Sequence, residues 1–252
     1  MGLVSPFHPL STLERALSTR RFHTFASLVA VPVLIACASC AGVKNLLSTS
    51  NDGEATFVQV DDLMGRIERI HVDCELARQN IAATTDALRV MVDPEFRGDP
   101  ALAHGDLVAA LELSERQAED LQSDYNRMTA SAKRVFSQWQ ENLESFSSES
   151  MREHSAARME ATRARYEAVL NTVGPAMELY RGFNSTMRDH TLYFGTDFND
   201  EAVRLVEREI RVLFREAEAL RADFIHGTEA CQAYVRKATP RSQAAPGGRR
   251  EV

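Results

Sequence analysis

Between Leu107 and Phe146 the chain places Leu107, Leu111, Ser114, Ala118, Leu121, Tyr125, Met128, Ala132, Val135, Trp139, Asn142 and Phe146 at strictly alternating steps of four and three. A 3.5-residue repeat keeps one stripe facing a partner only on an α-helix that supercoils with left-handed sense. The residues off the stripe are charged or polar, among them Glu112, Arg116, Asp120, Lys133 and Glu141. A long solvated helix with one apolar seam follows, and the rest of the chain must supply the surface it packs on.

Three other segments carry the same spacing. Val60, Leu63, Ile67, Ile70, Cys74, Ala77, Ile81, Thr84, Leu88 and Met91 define a helix from Phe57 to about Met91. A third runs from near Met151, with Met159, Tyr166, Val173, Tyr180 and Met187 on its seam, and a fourth reaches about Lys237 through Val203, Ile210, Leu220, Phe224, Cys231 and Tyr234. Pro94 and Gly98 break the first helix, and Asp99-Pro100 restarts the next with an N-cap acid and proline at the first helical position. Ser150 with Glu153 spells a capping box for the third helix. Gly174-Pro175 should kink that helix, Gly195 should end it, and Asp197 or Asn199 should cap the fourth. The expected fold is all-α: an elongated, antiparallel, coiled-coil-like four-helix bundle in up-down-up-down order over residues 56–237.

The N-terminus reads as an address rather than as fold. Arg20-Arg21 precedes an apolar run from Phe22 to Ala36, too short and too interrupted for a span of about 20 residues but shaped like a secretory signal. It ends in Leu34-Ile35-Ala36-Cys37, which resembles a bacterial lipobox, with Cys37 as the lipidated residue. The plainer alternatives are an ordinary signal cut nearby, or an uncleaved anchor. Residues 1–36 are thus expected to be a signal peptide, 37–55 a flexible polar tether, and 238–252 a disordered tail rich in Pro, Gly and Arg. Cys37-Ala38-Ser39-Cys40 spells C-x-x-C, but it falls inside the processing signal and has no second copy.

Composition excludes some functions. The chain has 36 acidic residues against 29 basic, and without residues 1–36 the balance is 35 against 26, a net charge of −9. Nucleic-acid binding rests on clustered Lys and Arg, so it is not expected. No G-x-x-x-x-G-K-[ST] loop is present, which removes a P-loop ATPase. Glu68-x-x-His71 and Asp223-x-x-His226 have the spacing of di-iron bundle ligands, yet such a site also needs two further inward carboxylates. Solvated helix edges explain both pairs, and no metal or cofactor is expected. With helix ends aligned, Cys74 falls opposite Leu220 and Cys231 opposite Leu63, three seam layers apart, too far for the ~5.5 Å Cα separation of a disulfide.

From Val135 onward the residues Phe136, Trp139, Leu143, Phe146-Ser147, Arg165-Tyr166 and Pro175, and above all Asp189, Leu192-Tyr193-Phe194, Asn199 and Ala202-Val203, resemble the bacterial family DUF2959, whose function is unknown. Members usually carry Lys-His-Asn-Leu-Asn where this chain has Gly195-Thr196-Asp197-Phe198-Asn199. The resemblance implies an envelope protein, in agreement with Cys37, and brings no activity. The expectation is a lipid-anchored periplasm-facing element of the envelope, in the outer membrane. It would meet the membrane through its lipid, bind an envelope protein whose identity the sequence does not name, leave room for a homo-oligomer, and have no catalytic activity. The alternative is a metal-binding bundle enzyme or ligand carrier. The far tip, with Asp189, Leu192, Tyr193, Phe194, Phe198 and Asn199, should either plug the bundle end or dock a partner.

Overall fold

Four long helices carry the chain, as the apolar spacing predicts. The computed structural model describes the backbone of residues 44–238 and the side chains from Val58 onward; Cys37, the expected signal peptide and the expected tail beyond Ala238 lie outside the described residues. The helices are α1 (Lys44–Met91), α2 (Pro100–Glu144), α3 (Glu149–Thr196) and α4 (Asp200–Ala238). They hold 48, 45, 48 and 39 residues, roughly 60–70 Å each at 1.5 Å per residue. Each packs along its chain neighbours, and α4 closes the ring onto α1. The fold is an all-α antiparallel four-helix bundle.

The seam residues fill its centre. Leu63, Ile70, Ile81 and Leu88 of α1, Leu107, Leu121 and Met128 of α2, Val169, Tyr180 and Met187 of α3, and Leu213, Leu220 and Phe224 of α4 are all 3 % exposed or less. Burying a side chain of this kind is worth about 1.5–3 kcal/mol, and the core continues through every level from Leu63 and Tyr234 to Met91 and Phe194. Most ion pairs instead join residues one turn apart on the outer faces, where each contributes only ~0.3–0.5 kcal/mol.

Helix ends differ from the expected ones in three places. α1 begins at Lys44 rather than Phe57, so residues 44–55 are helical where a tether was expected. No proline interrupts Lys44–Phe57, and extending a formed helix costs far less than starting one. The cap of α3 is Ser148, whose hydroxyl accepts from the Met151 N–H, and not Ser150. The third difference is at Gly195, which lies inside α3; the helix continues to Thr196. There the His104 ring of α2 covers the backbone so closely that a Cβ on residue 195 would fall 2.8 Å from Nε2. Glycine serves the helix–helix approach rather than termination. α3 also runs unbroken through Pro175. Asp99 caps α2 as predicted, accepting from the Ala101 N–H.

The register of α1 against α4 is a further correction. Cys74 faces Gly227, not Leu220: a Cβ on Gly227 would lie 3.4 Å from Cys74 Sγ and 3.2 Å from Val173 Cγ2. The helices are therefore seven residues, about 10 Å, away from the end-aligned register. α4 starts beyond the end of α1, and the 93–99 loop covers the overhang with Phe96 against Phe198, ring centroids 6.2 Å apart. Cys231 then sits one helical turn from the residue facing Cys74. Both thiols are free and buried. Desolvation pushes Cys231 up to about 12 and Cys74 well above the ordinary thiol range, so neither is a nucleophile. Brief alkylation of the native chain should leave both unmodified, while urea should expose both to the reagent; mass spectrometry reads the difference.

Candidate functional site

The far tip is built from the C-terminal turns of α3, the three-residue turn Asp197–Asn199, the start of α4 and the 93–99 loop. Phe194 is its centre, 3 % exposed. Its ring meets Tyr193 at 5.3 Å and Phe198 at 5.7 Å, both edge-on, and stacks on His190 at 6.4 Å. Edge-to-face pairs of this kind add about 0.5–1.5 kcal/mol beyond area burial. The Tyr193 hydroxyl donates to the Ala202 carbonyl at 3.3 Å, tying α3 to the first turn of α4.

Asn199 caps α4: its Oδ1 accepts from the N–H groups of Glu201 (3.0 Å) and Ala202 (2.9 Å). Asp197 holds that cap in place by accepting from Asn199 Nδ2 at 2.6 Å. Four of the six tip residues singled out by sequence, Tyr193, Phe194, Phe198 and Asn199, thus have structural contacts. Asp189 and Leu192 point to solvent, with Leu192 71 % exposed.

Periodicity missed the partners that hold the tip to α2. His104 Nε2 lies 2.9 Å from the Thr191 carbonyl, an oxygen that only accepts, so this nitrogen carries the proton. His190 is 6 % exposed, and desolvation lowers its pKa. Open grooves beside α3 add little chemistry. One lies along α2 with Lys133, Phe136, Arg163 and Tyr166, where the Arg163 guanidinium sits over the Phe136 ring, 5.1 Å from its centroid. The other, along α4, contains His190, Arg208, Glu209 and Glu216.

The metal-spaced residues stay at the helix edges. Glu68 is exposed and His71 half-buried, Asp223 is half-buried, and His226 pairs with Glu229 at 3.3 Å. Among the described residues, no three His, Cys, Asp or Glu side chains converge on a point that could hold a metal ion. None of the described helices is long and apolar enough to cross a membrane.

Halfway along, the seam turns polar. Ser114 Oγ lies 2.7 Å from Asn184 Oδ1 and 2.9 Å from Tyr180 Oη. With a single hydroxyl proton, it donates to the carboxamide and accepts from the phenol. Asn184 Nδ2 donates back to the Ser114 carbonyl at 3.2 Å, and the Asn80 side chain of α1 also reaches Tyr180. This node joins α1, α2 and α3. Only Ser114 and Tyr180 occupy seam positions, so spacing could flag half of it.

Residues 57–238 match the family described as a protein of unknown function, DUF2959. The chain belongs to that family. No curated protein and no solved structure matches it. The matched span begins where the sequence spacing starts the first bundle helix and ends with the last residue of α4, so the DUF2959 unit is the bundle itself. Within it, the departure at Gly195–Asp197 coincides with the place where His104 covers the α3 backbone and Asp197 holds the Asn199 cap.

Proposed function

We propose that this DUF2959 chain is a lipid-anchored rod of the bacterial envelope, facing the periplasm from the outer membrane, that acts by spacing or docking protein partners rather than by catalysis. The observation that carries the reading is the continuous core: side chains fill the bundle from Leu63 to Phe194, and the conspicuous tip residues are spent on closing and capping it. A filled rod of roughly 60–70 Å offers its polar faces and its ends, and a lipid on Cys37 would fix one of those ends. Leu192, exposed at the other end, is available to a partner.

Anchoring takes more than one acyl chain, because each buried CH₂ contributes only ~0.8 kcal/mol. Cys37→Ser is therefore expected to leave the protein in the aqueous fraction or with its signal uncleaved, whereas the wild type stays with membranes through a high-salt wash and carries an acyl adduct by mass spectrometry. A wild-type protein that washes off and lacks the adduct would falsify the anchor. Stoichiometric iron, manganese or zinc in the purified soluble part would replace the spacing role by a metal-carrying one.

A further inference from the structure

Asp73 of α1 is an acid in the core, 5 % exposed. Its contacts are poor for a carboxylate. Gln117 Nε2 of α2 lies 3.4 Å from both its Oδ1 and its backbone carbonyl, at the long limit of a hydrogen bond, and its Oδ2 is buried with no donor at all. A second carboxylate, Asp124 of α2, lies at the same level of the bundle: Arg69, one turn before Asp73, reaches it at 3.3 Å, and its charge acts on Asp73. Two ionised carboxylates carry no proton to share, so that approach is repulsive until one of them is protonated.

The surrounding charges favour Asp73 as the one that takes the proton. Asp124 is ion-paired with Arg69 at 3.3 Å and with Arg127 at 3.1 Å. Arg69, on Asp73's own helix, is 65 % exposed and spends its guanidinium on Asp124. Glu75 is engaged by Arg78 and Gln79. The neighbouring Cys74 thiol stays protonated, and α4 presents Gly227 to it.

We propose that Asp73 and Asp124 form a proton-sharing acid pair that clamps α1 to α2 in mild acid and loosens as its single proton leaves. Protonated Asp73 donates an O–H to the Asp124 carboxylate, supplying the hydrogen bond that two ionised groups cannot make. Desolvation first, and the Asp124 charge after it, raise Asp73 to about 6, roughly a hundredfold tighter for its proton than an ordinary aspartate near 3.9. The sign follows from linkage: the folded chain binds this proton better than the unfolded chain, so the penalty for ionised Asp73 is present in full above about pH 6 and fades as pH falls toward about 4. His190 opposes it, since burial holds its pKa down and its contribution is lost on acidification.

Comparing variants cancels that opposition. Asp73→Asn in the full chain supplies a permanent donor without charge. It is expected to melt above the wild type at about pH 7.5, with the gap shrinking as pH falls to about 5. Carboxyl carbon-13 titration should place Asp73 near 6 in the wild type, and Asp124→Asn should move that midpoint toward the ordinary value near 4. A wild-type Asp73 midpoint near 4, a stability gap that is equal at the two pH values, or a midpoint unmoved by Asp124→Asn would each overturn the pair.

Discussion

Phe194→Ala is expected to destabilise the bundle by about 3–5 kcal/mol, as for other buried aromatic truncations. In a chain of this size that lowers the melting temperature by roughly 6–20 °C. The cost exceeds that of an average core position because Phe194 lies at a convergence: the rings of Tyr193, Phe198 and His190 pack on it, and Phe198 in turn carries Phe96 from the 93–99 loop. Removing the central ring opens a cavity beneath two connections at once. Leu192→Ala, at a side chain 71 % exposed, is the matched control and should stay within about 0.5 kcal/mol of wild type. If Phe194→Ala melts like wild type with its helices intact, the tip is not held together by this cluster, and its aromatic residues become the first surface to test for a partner.

Fold and site were legible to different degrees. A repeat of 3.5 residues on four segments specifies helices and their inward faces, and the seam residues of α2 from Leu107 to Val135 are buried, apart from the half-buried Ala118 and Tyr125. Ends were harder to read, because they depend on contacts distant in sequence. Gly195 reads as a stop until His104, 91 residues earlier, is seen lying across it. Ser148 and Ser150 are both plausible caps by residue type, and only Ser148 has the extended backbone that lets its hydroxyl reach forward. The buried polar groups fall between these cases. Asp73, Gln117 and Asn184 flank the seam instead of occupying it, and a helix in a four-membered ring buries those flanks because it has two neighbours. A stripe drawn for one partner misses them.

The polar node at Ser114 should show why such groups are kept in a core that apolar residues could fill. Ser114→Ala strands the Asn184 carboxamide oxygen in a buried layer, which costs about 1–3 kcal/mol, and leaves the Tyr180 hydroxyl with Asn80 alone. Replacing these three together, Ser114→Ala with Tyr180→Phe and Asn184→Leu, leaves only the half-buried Asn80 side chain to turn to water. The triple variant is therefore expected to be more stable than Ser114→Ala alone and close to wild type in urea unfolding. What it should lose is register. Apolar residues at steps of four and three repeat every seven positions, and the end-aligned and observed registers of α1 against α4 differ by those same seven, so apolar spacing does not distinguish them. A hydrogen-bonded node has fixed seats on α1, α2 and α3 and no equivalent seat seven residues away. Paired spin labels on outer faces of α2 and α3 should report a single distance in wild type and a broadened or split distribution in the triple variant. A triple variant that is less stable than Ser114→Ala, or one that keeps a single sharp distance, would mean the node contributes net stability or that the tip alone sets the register.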